Sequence, residues 1–204
     1  YSKGKNRKSD RKYQDRSSIS VPFSTPSFLL NKSSMSLFNS TYFSLQKHKS
    51  RTSRLDYDNY FFPLDRLSNW NRLYGSKGFL QYQFVLPGEG ALEGITTVLE
   101  KISKQGKGSF LTVLKKFGEA NENLLSFPRS GYTLTLDFKN ETSLFPLLDE
   151  LDRIVLDHDG RLYLAKDARM SEAVFKASYP NWEAFITIKA KVDPHNRFAS
   201  LQSN

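Results

Sequence analysis

Apolar and polar residues follow a regular order between residues 79 and 164. Residues 79–86, 109–117, 132–138 and 161–164 alternate as β-strands do. Two apolar stripes at helical spacing follow the first and third strands, at Leu92, Ile95, Val98 or Leu99, and Ile102, and at Leu144, Leu147, Leu148, Leu151, Ile154 and Val155. The order β-α-β-β-α-β predicts an α+β, ferredoxin-like fold, with a four-stranded antiparallel sheet and both helices on one face.

The segments on either side of this core carry weaker patterns. The predicted elements there are a short edge strand at 19–23, one or two short helices within 28–45, a charged loop at 46–54, an amphipathic helix at 60–75 that ends at Gly75, and helices at 171–177 and 182–192. We therefore divide the chain into a flexible basic segment (1–17), a main domain (18–164) with its core at 79–164, and a C-terminal segment (165–204).

Charge is distributed unevenly over the 204 residues, whose net charge is +9. Residues 1–54 contain twelve Lys and Arg but only two acidic residues, whereas residues 55–204 contain eighteen basic and nineteen acidic ones. A basic segment of this kind is typical either of a solvated or partner-facing arm or of an arm that binds nucleic acid or an anionic membrane. Its basic residues lack helical phase and interleaved aromatic side chains, so the first interpretation is favoured.

Several kinds of site are excluded by composition. The chain has no cysteine, and its three histidines (His48, His158 and His195) lack ligand spacing, so we expect no disulfide and no metal site. Nor does it contain a Gly-rich phosphate loop, a nucleophile elbow, a signal-peptide pattern or an apolar run long enough to span a membrane. We expect a cytoplasmic protein with no integral membrane segment.

The sheet face opposite the helices is predicted to be polar. Strand alternation assigns five side chains to it: Gln81, Gln83, Thr133, Thr135 and Asp137. This face is either simply solvated or binds a polyhydroxy ligand, and amides with hydroxyls in register favour the ligand. RNA-recognition modules share the topology but stack bases on aromatic residues of this face. Because the third strand offers two threonines and an aspartate instead, we expect no nucleic-acid partner.

Lysines lie at the ends of two predicted strands. Lys115 and Lys116 end the second strand, and Lys166 follows the fourth. Such residues are usually surface lysines whose charge reaches solvent. Lys166 emerges just where the sheet ends, where a cation could instead contact an anionic cofactor edge. Composition does not decide between these two interpretations.

Seven segments together resemble the C-terminal part of the FAD-linked oxidases of the vanillyl-alcohol oxidase type. They are 60–65 (YFFPLD), 69–75 (NWNRLYG), 78–84 (GFLQYQF), 109–115 (SFLTVLK), 125–128 (LSFP), 160–167 (GRLYLAKD) and 191–200 (KVDPHNRFAS). The resemblance extends from about residue 19 to the end of the chain. It implies that residues 18–164 form a substrate-binding cap domain whose sheet covers the flavin, and that residues 165–204 return to the FAD-binding domain.

The resemblance also implies individual site residues. The substrate-binding positions are Gln81, Gln83, Lys115, Thr133, Thr135, Phe61 and Trp70. The cofactor-binding positions are Tyr163, Ala165 and Lys166, with Lys166 as the catalytic cation on the pyrimidine side of the flavin. Thr133 and Thr135 stand where relatives have Asn and Cys, and Phe61 where they have Tyr, so the identity of the sugar is not fixed by the match.

The reaction implied is oxidation of a secondary hydroxyl of a lipid-linked or activated sugar, with hydride transfer to FAD. A short-chain reductase partner would complete an epimerisation, and attachment to the inner face of the membrane would suit a lipid-linked substrate. The family's N-terminal FAD-binding domain has no counterpart in this sequence, so we expect the chain alone to be inactive. The alternative is a non-catalytic ferredoxin-like module that binds a small ligand or a protein edge.

Overall fold

A computed structural model describes residues 19–24, 32–47, 67–109 and 111–200. In chain order its strands and helices are β1 (Ile19–Ser20), α1 (Lys32–Lys47), β2 (Leu67–Ser68), β3 (Phe79–Pro87), α2 (Ala91–Lys104), β4 (Thr112–Phe117), β5 (Gly131–Lys139), α3 (Phe145–Asp157), β6 (Arg161–Leu162), α4 (Glu172–Ser178) and α5 (Trp182–Val192). Short 3₁₀ turns occupy Trp70–Tyr74, Thr142–Leu144 and Leu164–Lys166.

Strands β3 to β6 form one antiparallel sheet in the order β4-β5-β3-β6. The two central strands are therefore the first and third of the β-α-β-β-α-β sequence, and α2 and α3 cross on one face. This is the ferredoxin-like arrangement, which confirms the predicted fold class. Pairing places Gln81 opposite Asp137 and Gln83 opposite Thr135, and this register fixes which side chains share each face.

The core lies between the sheet and helices α2 and α3. Its strand residues include Tyr82, Phe84, Leu134 and Leu136, all buried, as alternation predicts. All six apolar positions of the predicted second helix pack into or against the core, five of them in α3 and Leu144 in the 3₁₀ turn before it. In α2 the buried positions are Ala91, Gly94, Val98 and Ile102, whereas Leu92 is 82% exposed, so its predicted place in the core is wrong.

Gly94 explains how α2 is oriented. A Cβ built on this residue would lie 2.5 Å from Leu86 Cδ1 and 3.1 Å from the His158 ring. Because only a glycine allows that approach, α2 meets the sheet along the Ala91, Gly94 and Val98 face. Leu92, two residues before Gly94, consequently points to solvent.

Two short strands lie outside the main sheet. β1 pairs with β2 in parallel, Ile19 against Leu67 and Ser20 against Ser68. The amphipathic helix predicted at 60–75 is therefore wrong at 67–68, which is strand, and its only helical turn in the described part is the 3₁₀ segment Trp70–Tyr74. Residues 60–66 lie outside the described residues. The apolar segment predicted as one or two helices forms α1 over its described part.

Helices α4 and α5 follow the sheet at the bounds expected from the sequence, to within a residue. Ser171 caps α4 by accepting a hydrogen bond from the Val174 amide. In contrast to α2 and α3, α5 contains no buried residue, and Phe185, Ile186 and Ile188 are substantially exposed. Among the described helices, none combines the length and apolar character that crossing a bilayer requires.

Candidate active site on the polar face of the sheet

The predicted polar set does share one face of the sheet. Gln81 and Gln83 of β3 lie beside Asp137 and Thr135 of β5, on the side away from α2 and α3. The face is not simply solvated, because Thr133 and Asp137 are fully buried. Burying a hydroxyl and a carboxylate is unfavourable unless both are hydrogen-bonded, and both groups do have hydrogen-bond partners in this structure.

Aromatic side chains cover the two ends of this polar face. At one end Phe79 stacks on Tyr74 and contacts Trp70, each pair with ring centroids 4.9 Å apart. At the other end Phe127 stacks on Tyr163 with centroids 4.4 Å apart. Gln81, Gln83, Thr135 and Lys166 remain accessible between them. Trp70, a predicted substrate-binding residue, thus forms part of the wall at one end.

Gln81, Gln83, Thr135 and Lys166 form an accessible polar strip on this face, and Lys166 lies at its centre. Its ammonium donates to Gln81 Oε1 at 2.5 Å, and Gln81 Nε2 donates to Asp137 Oδ1 at 2.9 Å. The hydroxyl of Tyr74 also lies close enough to the Asp137 carboxylate to lower its pKa. The amide of Gln81 therefore bridges a half-buried cation and a buried anion that are not in direct contact, and its two ends are fixed by their opposite charges.

The Asp137 carboxyl is affected by burial and by this chain of contacts in opposite directions. Burial raises its pKa above the ordinary value, whereas the Gln81 hydrogen bond, the Lys166 charge and the nearby Tyr74 hydroxyl each lower it. Burial is the largest of these effects, so the net shift is upward. The carboxylate form of Asp137 consequently depends on Lys166 and Gln81 for its stabilisation.

Contacts outside the polar face place Lys166. The Tyr163 amide donates to Gln83 O at 2.9 Å, which continues the β6 pairing by one residue before the chain turns at Leu164–Lys166. The Tyr179 hydroxyl donates to Leu162 O at 2.5 Å. Burial raises the pKa of Tyr179 to about 12, so this donor stays protonated.

An ion-pair network anchors the residues after Lys166 to α3. Arg169 contacts Asp149 at 2.7 Å and the buried Asp152 at 2.8 Å, and Asp152 also accepts from the Tyr82 hydroxyl at 3.0 Å. Burial raises the pKa of Asp152, and the Arg169 charge lowers it. Because Tyr82 and Gln81 are consecutive on β3, the same strand is tied to the 166–169 segment on both faces of the sheet.

The other predicted substrate-binding residues lie in different surroundings from one another. Gln83 Nε2 donates to Thr133 Oγ1 at 3.2 Å, and the Thr133 hydroxyl donates to Phe84 O at 2.8 Å. Thr133 therefore orients Gln83 from a buried position, while Thr135 is partly accessible. Lys115 pairs with Thr133 and so lies on the polar face, exposed at the β4 edge. Phe61 lies outside the described residues.

Ala165 and three residues that the sequence did not indicate also belong to the surroundings of Lys166. Ala165 is exposed within the turn that carries Lys166. Tyr74, Asp152 and Arg169 were not assigned to the site from the sequence, although they hold its parts in place. Tyr74 was predicted as a helix-face residue and Asp152 lies on the buried side of α3, so neither pattern suggested a link to the sheet. Among the described residues, no acidic or histidine cluster could hold a metal ion.

This arrangement offers directed donors beside a crevice lined by Gln81, Gln83, Tyr163 and Lys166. An ammonium has three N–H donors and an amide two, so within the described part Lys166 and Gln83 each retain capacity for a ligand. These donors suit carbonyl or anionic acceptors and the hydroxyls of a sugar. The flat Tyr163 ring beside them adds an aromatic wall.

Comparison with known proteins relates this chain to oxidases. The family described as D-arabinono-1,4-lactone oxidase matches residues 134–203, a range that includes Thr135, Tyr163 and Lys166. The decaprenylphosphoryl-beta-D-ribose oxidase of Mycolicibacterium smegmatis is 46% identical over 141 residues, covering 69% of this chain and 30% of the relative. The resemblance to the FAD-linked oxidases is confirmed. The chain is thus related to oxidoreductases of the oxidase type.

A second relative is the uncharacterized protein in the mprA 5' region of Streptomyces coelicolor. It is 32% identical over 135 residues, covering 66% of this chain and 36% of that protein. The chain spans about a third of the length of each of these two relatives. The matches therefore relate it to one portion of an oxidase.

Proposed function

We propose that this chain is the C-terminal, substrate-binding portion of an FAD-dependent oxidoreductase that oxidises a secondary hydroxyl of a decaprenylphosphoryl-ribose-like sugar. The observation that carries the proposal is the Lys166–Gln81–Asp137 chain of contacts on the polar face. A cation held there by a buried carboxylate is costly to maintain for stability alone, because both charges lose hydration. A fixed cation of this kind is useful in a site that must stabilise developing negative charge.

The residues present fit a flavin. Lys166 would donate to the pyrimidine side of the ring system, and Tyr163 and Ala165 lie beside it along the same turn. FAD, when bound, supplies the hydride acceptor. The ammonium of Lys166 would then stabilise negative charge on the cofactor without moving, since Gln81 already holds it in place.

The sugar would occupy the strip between Lys166 and the β4 edge. Gln83 and Thr135 would bind hydroxyls of the sugar, and Lys115 at the exposed edge would contact an anionic group such as a phosphate. Thr133 would act one step away, by orienting the Gln83 amide through the 3.2 Å hydrogen bond. Trp70 would add an apolar contact at the rim, and Phe61 stays a predicted substrate-binding residue.

The FAD-binding domain would dock against the C-terminal helices. Leu164, Phe175, Phe185, Ile186 and Phe198 line a groove of about 940 Å³, which also contains Lys189. The relatives are about three times longer than the region they share with this chain, so an additional domain is available to cover this surface. A short-chain reductase partner and attachment to a membrane surface complete the proposal, since the substrate class is a lipid-linked sugar.

The test compares the chain alone with the chain joined to its N-terminal FAD-binding sequence. We expect stoichiometric flavin to copurify only with the joined protein, because the chain alone lacks a pyrophosphate-binding segment. In the joined protein, Lys166→Met should slow flavin reduction by on the order of 10² to 10³, about 2 to 4 kcal/mol, as removal of one preorganised donor does.

The matched control is Lys116→Met, because Lys116 is a lysine of β4 that is exposed on the opposite face of the sheet. It should leave flavin reduction unchanged. Equal rates for Lys166→Met and the parent would show that Lys166 is only a surface charge. A joined protein without flavin would favour the non-catalytic binding module instead.

A further inference from the structure

Helix α1 exposes a group of large apolar side chains without making a core. Leu37, Phe38, Tyr42, Phe43 and Leu45 are between 58% and 71% exposed, and the Phe38 and Tyr42 rings stack on each other with centroids 6.2 Å apart. Soluble surfaces rarely expose so many adjacent apolar side chains, and such a group marks an interaction surface.

Three of these five apolar side chains share one arc of α1. Phe38, Tyr42 and Leu45 recur at the i, i+4, i+7 spacing. The opposite arc consists of small and polar residues, Ser33, Ser36, Ser40 and Ser44 with Lys47. Leu37 and Phe43 are the exceptions, since they lie at the two margins of this polar arc. At 16 residues the helix is about 24 Å long, enough to lie along a surface.

The charge around α1 has a single sign. Residues 17–54 contain five Lys and Arg and no Asp or Glu, and four of the five follow one another from Lys47 to Arg54, at and beyond the C-terminal end of the helix. A protein partner would have to be acidic to match this charge. An anionic lipid surface matches both features at once, because it offers negative headgroups above an apolar interior.

We propose that α1 is an interfacial helix that lies on an anionic lipid bilayer, with Phe38, Tyr42 and Leu45 facing the acyl chains and Lys47, at its C-terminal end, among the headgroups. The inference deepens the proposed function, since a lipid-linked sugar is met at a bilayer surface. It names the part of the chain that makes the contact. The apolar groove beside α5 is a separate surface, whose lining carries both signs of charge, with Asp167 and Glu172 beside Lys189.

The experiment measures binding of the 204-residue chain to vesicles by cosedimentation. Vesicles of phosphatidylglycerol mixed with phosphatidylcholine should bind the chain, pure phosphatidylcholine should bind it more weakly, and added salt should reduce binding to the anionic vesicles. The double variant Phe38→Ser with Leu45→Ser should lower the partition coefficient at least about tenfold, since two apolar side chains that enter the bilayer are lost. The vesicles contain no sugar lipid or flavin, so the outcome is independent of the catalytic proposal.

The matched control is Leu92→Ser with Leu99→Ser, which removes two exposed apolar side chains from α2. It should leave vesicle binding unchanged. Equal losses from the two double variants, or no binding to anionic vesicles, would overturn the proposal. A sedimentation-velocity dimer of the parent chain that is lost with Phe38→Ser and Leu45→Ser, without vesicle binding, would assign α1 to contact between copies of this chain instead.

A spectroscopic pair tests the orientation of the helix directly. Tyr42→Trp places an indole on the apolar arc, and Ser40→Trp places one on the polar arc. Anionic vesicles should shift the added emission of Tyr42→Trp to shorter wavelength but leave that of Ser40→Trp unchanged, after subtraction of Trp70 and Trp182. Equal shifts in the two variants would contradict the proposed orientation.

Discussion

Replacing Leu134 by alanine should lower the free energy of unfolding of this chain by about 3 to 4 kcal/mol. Leu134 is 2% exposed and pairs with Phe84 on one side and Leu114 on the other, on the face covered by α2 and α3. The substitution removes three carbon atoms, and at about 0.8 kcal/mol per methylene the lost transfer free energy is about 2.4 kcal/mol. A residual cavity adds about 1 kcal/mol, because neighbours held by a sheet collapse only partly.

Thr135→Ala is the matched comparison, one residue further along β5. Thr135 faces the polar strip and is partly accessible, so water can replace whatever its hydroxyl contacts. The expected cost is under about 1 kcal/mol. Urea denaturation followed by far-UV circular dichroism gives both values, and equal slopes for the two variants would show that the unfolded reference state is unchanged.

The comparison tests the register of the sheet. A shift of one residue in β5 would exchange the faces of Leu134 and Thr135, and the two costs would be reversed. A Thr135→Ala cost equal to or above that of Leu134→Ala would therefore refute the register. The polar strip and the positions of Gln83 and Lys166 would be wrong with it.

Three further predictions concern the groups that position the site. The native pKa of Asp137 is raised, so the contribution of this carboxyl to stability is greatest in acid and is lost as pH rises from the unfolded-state pKa toward the native pKa. Lys166→Met should raise the native pKa of Asp137 further and extend this loss to higher pH. NMR titration of the Asp137 carboxyl measures the change. Arg169→Met should cost about 3 to 5 kcal/mol in urea denaturation, because it leaves the buried Asp152 carboxyl without its cation. Gly131→Ala should cost several kcal/mol or prevent folding, since its φ is +150° and a Cβ would lie 2.0 Å from the Leu86 carbonyl oxygen.

Each of these predictions has a control variant. Lys115→Met should leave the Asp137 titration closer to that of the parent, because the pKa of Asp137 responds to Lys166 and not to Lys115. Asp149→Ala should cost under about 1 kcal/mol, because the Asp149 side chain is 59% exposed. Gly88→Ala should be close to neutral, since a Cβ there meets nothing within 4 Å. A Gly131→Ala variant as stable as Gly88→Ala would contradict the β3–β5 packing.

The sequence pattern predicted the fold correctly where the spacing of apolar residues in a strand or helix depended on a single buried face. Alternation assigned Leu134 and Leu136 to the core and Gln81 and Gln83 to the other face, and the register agrees. The same reasoning failed for Leu92, because the phase of α2 is set by the close approach of Gly94 to Leu86, which no count of apolar residues includes. It also failed at 67–68, where pairing with β1 overrides the helical spacing.

The candidate site could be predicted only as a set of separate residues. Lys166 and Gln81 are 85 positions apart, and their contact depends on β6 lying beside β3. Spacing along the chain contains no information on that pairing. The burial of Thr133 and Asp137 was missed for a related reason, since alternation indicates which face a side chain occupies but not what else covers that face.

The turn at Leu164–Lys166 is what converts strand pairing into a site. Tyr163 still pairs with Gln83, so a continued strand would place Lys166 opposite Leu80, on the face that packs against the helices. The 3₁₀ turn instead ends the pairing and leaves Lys166 in contact with Gln81, and Arg169 fixes the residues after the turn to Asp149 and Asp152 of α3. Lys166 is thus held from both faces of the sheet, by Gln81 on the polar side and through Arg169 on the helix side. A cation constrained in this way loses little entropy when it contacts a ligand, which is the property that electrostatic stabilisation requires.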